Sequence, residues 1–247
     1  MKKKVLSLLM GLLLSSQLAL AQDDFEFASN DGGLSYGIKI GGNFNTFSQP
    51  GVTFGGNGGL FLRYPFGDVI ALQGELLYDF QGGGRHDYTV TTETGVDERS
   101  LQTVSFLNRN LQLHTVSLPI SAKITPFDKG TVTPYFLAGG SLEYVFSAYE
   151  VRDVLFNQNG ATNVILTNQG ESLTDDIESL QYGFHVGTGL DFYQDSGSVF
   201  SIEFRYRQSL TDLNSGIDDF SNSLRPQLSA LYSSTFSISF YSTLNLF

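Results

Sequence analysis

The chain has no cysteine, no tryptophan and only 6 prolines, and just 16% of its 247 residues are charged. Without cysteine, an exported protein gains nothing from disulfides and must rest on packing and backbone pairing. Charge this sparse, beside 27 Gly, 21 Phe and 12 Tyr, is poor material for helical ion pairs and good material for strands and turns. Positive charge is scarcest: 14 Lys and Arg face 25 Asp and Glu, for a net charge of −11. No basic surface is left over for nucleic acid. After Gln22 no run is long and apolar enough to cross a bilayer as a helix.

What apolar run there is lies at the start. Met1-Lys2-Lys3-Lys4 precedes the stretch from Val5 to Leu14, and Ala19-Leu20-Ala21 precedes Gln22. A charged head, an apolar middle and a small-residue exit predict a secretory signal over 1–21, followed by a short periplasmic segment, 22–32. No cysteine follows to carry a lipid anchor. Loss of the three lysines leaves 11 basic residues against 25 acidic ones, a mature charge of −14.

In the stretch FSIEFRYRQ, from Phe200 to Gln208, Glu203, Arg205 and Arg207 alternate with aromatic or aliphatic residues. Side chains of a strand alternate faces, so the two sets point to opposite sides. The same parity recurs in eight segments. Ile38 and Ile40 oppose Lys39; Leu60, Leu62 and Tyr64 oppose Phe61 and Arg63; Leu72 to Phe80, by twos, oppose Gln73, Glu75, Leu77 and Asp79. Val116 to Ile124 oppose Thr115 to Lys123, Phe136 to Phe146 oppose Tyr135 to Glu143, and Tyr182 to Phe192 oppose Gln181, His185 and Asp191. The last segment sets Phe236, Ile238, Phe240, Leu244 and Leu246 against Ser237, Ser239, Thr243 and Asn245.

Every charge in these segments shares one face, and the other face carries none. A soluble sandwich also alternates, but its polar face meets water and is usually rich in Lys and Glu. Here the polar face is Gly, Ser, Thr and Asn with a few charges of both signs, which suits a crowded lumen. On a lipid-facing wall a midplane Arg or Lys costs about 2–4 kcal/mol, so charge-free stripes are what a membrane demands. Tyr64, Tyr78, Phe80, Tyr144, Phe146, Tyr206 and Phe236 stand at segment ends, where an aromatic girdle belongs. The fold expected is an all-β, eight-stranded antiparallel up-and-down transmembrane β-barrel over 33–247.

Connections alternate in length. Pro65 to Asp68, Thr125 to Val132 and Gln194 to Gly197 are turns; 81–110, 147–179 and 211–234 are long loops, with the shorter Phe47 to Thr53 on their side. Short turns belong in the periplasm and long loops outside, so the expected location is the outer membrane with both termini periplasmic.

The expected lumen charges are Lys39, Arg63, Glu75, Lys123, Glu143, Asp191, Glu203, Arg205 and Arg207, with His185 beside them. An eight-stranded barrel is wide enough only for its own side chains, so these are expected to pair as a plug. A narrow channel or hydrophobic-solute conduit is the alternative. No catalytic residue is assigned: His86, His114 and His185 have no spacing that names a nucleophile. No metal or cofactor is expected; the stretch from Asp212 to Asp219 has its glycine one place early for a calcium loop and no distal Glu. The loops hold Asp97, Glu98, Asp153, Glu171, Asp175, Asp176, Glu178, Asp218 and Asp219, with Phe106, Leu155, Phe156 and Ile165 interspersed. The apolar members either form a recognition surface or extend the strands above the membrane.

The pieces LQGELLYDFQGGG, VTPYFLAGGSLEYV, YGFHVGTGLDFY and FSIEFRYRQSLTDL resemble the PorT-like outer-membrane β-barrel proteins of Bacteroidota, over essentially the whole mature chain. The resemblance implies an eight-stranded barrel with surface loops, outer-membrane lipid around it, and a surface or type IX secretion protein as partner. It transfers no functional residues. The terminal Phe247 resembles the insertion signal read by the barrel assembly machinery, although its parity is that of the lumen face.

Overall fold

A computed structural model describes residues 33–48, 51–93, 101–127, 130–158, 161–175, 177–194, 197–213 and 230–243. The expected signal over 1–21, the segment 22–32 and Phe247 fall outside these residues. Ten strands form: β1 (Ser35–Phe47), β2 (Val52–Pro65), β3 (Ile70–Gly84), β4 (Tyr88–Glu93), β5 (Leu101–Ile124), β6 (Val132–Gln158), β7 (Ala161–Ser172), β8 (Leu180–Tyr193), β9 (Val199–Ser209) and β10 (Ser233–Thr243).

Eight of them, β1, β2, β3, β5, β6, β8, β9 and β10, pair antiparallel in chain order. The circle closes where β1 meets β10, from Gly37 opposite Thr243 to Phe47 opposite Ser233. A closed ring has no free edge and satisfies every ladder group internally, as crossing a bilayer requires.

Parity decides which way each side chain points. Ile40 is 68% exposed on the outer wall, whereas its neighbour Lys39 is 3% exposed within. Phe204 and Glu203 divide the same way, at 54% and 1%. Inward glycines draw the wall tight. A Cβ at Gly59 would sit 2.0 Å from the Leu76 carbonyl oxygen, and one at Gly139 would sit 1.9 Å from that of Ile120. The space they leave is filled by long charged side chains.

The connections expected as loops over 81–110 and 147–179 carry strand. β5 and β6 run 24 and 27 residues, well past the ring, and pair with each other, with β4 and with β7. The result is a four-stranded sheet, β4-β5-β6-β7, standing at the long-connection end. Its sequence reason is local: Tyr88 to Thr92, Val104 to Phe106 and Val151 to Phe156 are rich in β-branched and aromatic residues. A bulge where His114 and Thr115 face Ser147 and Val145 makes one extra residue of Phe146. Parity therefore flips along β6, and Ala148 and Glu150 point inward after Val145.

At this end Leu173, Ile177, Leu213 and Leu231 fold inward onto Phe47, Leu111, Leu113, Val145 and Ala148, forming an apolar lid. Backbone bonds pin it: Leu173 donates to Ala148 at 2.9 Å, Glu178 to Leu213 at 3.0 Å, and Leu213 to Leu231 at 3.0 Å.

The outer wall is the most direct check on this arrangement. Phe204→Arg, at the middle of β9, is expected to destabilise the folded barrel in lipid by about 2–4 kcal/mol, whereas Tyr64→Arg at the rim costs at most about 1 kcal/mol. Urea unfolding in bilayers reads both.

Candidate functional site

The lumen is built from side chains of odd parity on all eight ring strands. Nearest the short turns, Lys123 Nζ lies 2.5 Å from Asp191 Oδ2, and Arg63 stands 3.9 Å from the same oxygen. Ser201 donates to Asp191 Oδ1 at 2.6 Å, and the Lys123 ammonium sits over the Tyr135 ring at 3.6 Å.

The middle layer centres on Glu75. Arg205 grips it with both terminal nitrogens, Lys39 donates to it at 3.0 Å, and Gln73 donates at 2.7 Å. Glu203 accepts from Arg205 at 2.8 Å, from Tyr135 at 3.1 Å and from Tyr241 at 2.7 Å. Tyr241 thereby ties two carboxylates together, since its hydroxyl also reaches Glu75 at 3.2 Å. Above, Arg207 bridges Asp79 at 3.3 Å and Glu143 at 3.2 Å. Ser117 donates to Asp79, and Gln81 donates to Glu143 at 3.1 Å.

All nine charges named from the sequence lie in this network. Asp79 is a tenth. It shares their parity, and with it five cations face five carboxylates. The balance follows from desolvation: a buried charge without a partner is strongly unfavourable. Tyr135 and Tyr241 share the same parity, and their hydroxyls carry links that charge alone does not mark.

Two histidines need separate mention. His185, 1% exposed, shares a 2.6 Å hydrogen bond with Ser121 through Nε2. The spacing is that of a nucleophile and its base, but Nδ1 has no orienting partner and neither group is open to a substrate. A void beside Asp79 and Arg207 measures about 10 Å³, the size of one water. His114 is on the outer wall of β5, bonded to Tyr78 at 2.6 Å and packed near Phe80 and Phe146. The loop from Asp212 to Asp219 lies largely outside the described residues. Among those residues no cluster fit to hold a metal ion occurs.

A second ionic group, unforeseen from the sequence, sits above the lid. Glu150 Oε2 accepts from Arg85 at 2.9 Å and from Arg109 at 2.8 Å, while Arg109 Nε reaches Oε1 at 2.9 Å. Arg152 lies 3.4 Å from Glu150 and also pairs with Glu171. The bulges in β5 and β6 bring these residues to one face, and no bulge is visible in a parity pattern. Burial alone would raise the Glu150 carboxyl. Hydrogen bonds and charge from Arg109, followed by Arg85 and Arg152, outweigh it and hold the group below its ordinary value of 4.5. A carboxyl depressed in the folded state stabilises the fold fully above that value, and the contribution is lost as pH falls through the folded one. Glu150→Gln is therefore expected to be less stable than wild type at neutral pH. It should also show a shallower loss of stability as pH falls below 4.5, read by urea melts at each pH.

Comparison with known proteins follows the same lines. No curated protein matches the chain. Among solved structures, it is similar to Ail of Yersinia pestis in complex with the heparin analogue sucrose octasulfate. That match has 14% identity and a TM-score of 0.37, covering 85% of this chain and 99% of that one. Neisserial surface protein A matches at 13% identity and TM-score 0.43, covering 86% and 99%. The outer membrane enzyme PagL matches at 13% identity and TM-score 0.39, covering 83% and 97%. The family model of the outer membrane protein beta-barrel domain matches residues 20–215, well over half of the sequence. With a closed antiparallel ring, a charge-free outer wall and this match, the chain belongs to the outer membrane protein β-barrel domain family.

Proposed function

We propose that this outer-membrane barrel is a closed, non-enzymatic protein with a structural or surface-interaction role. Its lumen is a plug, its long-connection end faces outward and both termini lie in the periplasm. The observation that carries this is double closure of the lumen. Five cations are matched by five carboxylates along its length, and the apolar lid of Leu173, Ile177, Leu213 and Leu231 covers the end above them. Either barrier excludes hydrated ions: the first leaves no room for them, and the second offers them no polar partner.

The absence of an orienting group on His185 and its burial favour a non-catalytic role. The surface supports recognition instead. Asp153, Glu171, Asp175 and Glu178 lie on the long-connection side, and described basic side chains are no more than 18% exposed where they pair. In this scheme the segment 1–21 directs export and Phe247 presents the chain to the barrel assembly machinery. The resemblance of the strand pieces to PorT-like proteins of Bacteroidota favours a surface or secretion-system protein as partner, with lipid around the wall.

Planar-bilayer recording tests the closure. Purified protein is expected to give silent membranes across the usual voltage range. Steady, reproducible openings from the same preparation would show that the lumen conducts and would overturn the plug.

A further inference from the structure

The sheet that stands at the long-connection end has two outer edges, and they are not alike. β7 is broken. Its pairing with β6 shifts register between Arg152 and Val154 and between Phe156 and Asn157, Asn168 takes a φ of 54°, and the Gln169 side chain donates to the Thr167 carbonyl at 3.0 Å. Bulges and capped carbonyls of this kind blunt an edge against unwanted pairing. β4 has no such device. Tyr88 to Glu93 pair with Phe106 to Leu101 without a shift, and among the described residues no strand pairs with the other side. Its sequence, Tyr-Thr-Val-Thr-Thr-Glu, contains no Lys, no Pro and four β-branched residues in a row.

A place for a further strand is laid out beside it. β4 follows β3 after the short break Arg85 to Asp87, and β2, the ring neighbour of β3, begins only at Val52. Among the described residues no strand continues β2 upward past this point, where Gly51 lies against Gly84. An incoming strand would run antiparallel to β4 and complete the line.

We propose that the open edge of β4 is a docking strip for an extended, basic segment of a different polypeptide, which joins the projecting sheet as a fifth strand. This rests on the surface-interaction role given above. Basic character follows from charge: Asp87 and Glu93 bracket the strip in sequence, Arg85, Arg109 and Arg152 near it are engaged in ion pairs with Glu150, and the chain carries −11 overall. A second copy does not fit. Copies inserted the same way carry strands tilted about 35–45° from the membrane normal, so a twofold along that normal crosses the two β4 edges at about 70–90°, and no ladder forms.

The test uses the full protein in lipid nanodiscs and a fluorescent peptide of alternating threonine and valine with a lysine at each end. Saturable binding is expected, with slowed amide exchange at alternate residues between 88 and 93. Thr91→Pro should weaken it about tenfold or more, and Ile165→Pro in β7 should leave it unchanged. A peptide N-methylated along both edges should not bind, whatever the state of the variants. The proposal is overturned if the native peptide does not bind, if N-methylation has no effect, or if binding maps to β7. Bilayer conductance of the same sample reports on the closed lumen independently, so silence there with no peptide binding sinks the edge alone.

Discussion

Ten charged side chains inside a ring of eight strands must neutralise one another, because the wall and their own packing bury them from solvent. That constraint shapes the rest of the molecule. The wall outside meets acyl chains and carries no charge, so every ionic group of the ring strands is driven inward by parity. Once inside, a cation is tolerated only where a carboxylate meets it, and the hydroxyls of Tyr135, Tyr241, Ser117 and Ser201 take up the remaining acceptor positions. Wall glycines such as Gly59 and Gly139 make the room. The same residues that keep the barrel compatible with lipid are therefore the ones that close it.

Above the ring the chemistry changes twice. The lid replaces charge with leucine and isoleucine, and then Glu150 gathers Arg85, Arg109 and Arg152 at the base of the projecting sheet. Bulges make both changes. Phe146 as an extra residue in β6, and the shift between Leu107 and Asn110 in β5 with Asn108 at a φ of 51°, reverse the facing of everything beyond. The sheet so formed keeps the cations in its base and leaves an acidic, partly apolar surface above.

The ring was legible in the sequence because its signal is strictly local. A period of two, repeated eight times with charges always on one phase, needs no knowledge of which strand touches which. The partners within the lumen were not legible: Arg205 meets Glu75 across a separation of 130 residues, and Arg207 meets Asp79 across 128. Tyr241 is hidden by its chemistry: an aromatic in this last strand reads as lipid-facing, as Phe236 and Phe240 are, while its parity places it in the lumen. The Glu150 group was out of reach, since a bulge inverts parity without leaving a mark in one sequence. The segments 88–93 and 151–158 have ordinary strand composition, and apolar residues such as Phe106, Leu155 and Phe156 leave two readings open, a recognition surface or strands extended above the membrane, of which the structure shows the strands.

Mutual neutralisation inside the ring is tested most directly by a double-mutant cycle on Lys123 and Asp191, whose Nζ and Oδ2 lie 2.5 Å apart. Unfolding in bilayers is measured for Lys123→Met, Asp191→Asn and the double variant. Each single change is expected to destabilise the barrel by about 3–5 kcal/mol, and the double change by clearly less than their sum, because no lone charge is left behind. Losses that add, or single variants as stable as wild type, would mean that water or open space already compensates these charges and that the lumen is not sealed by them.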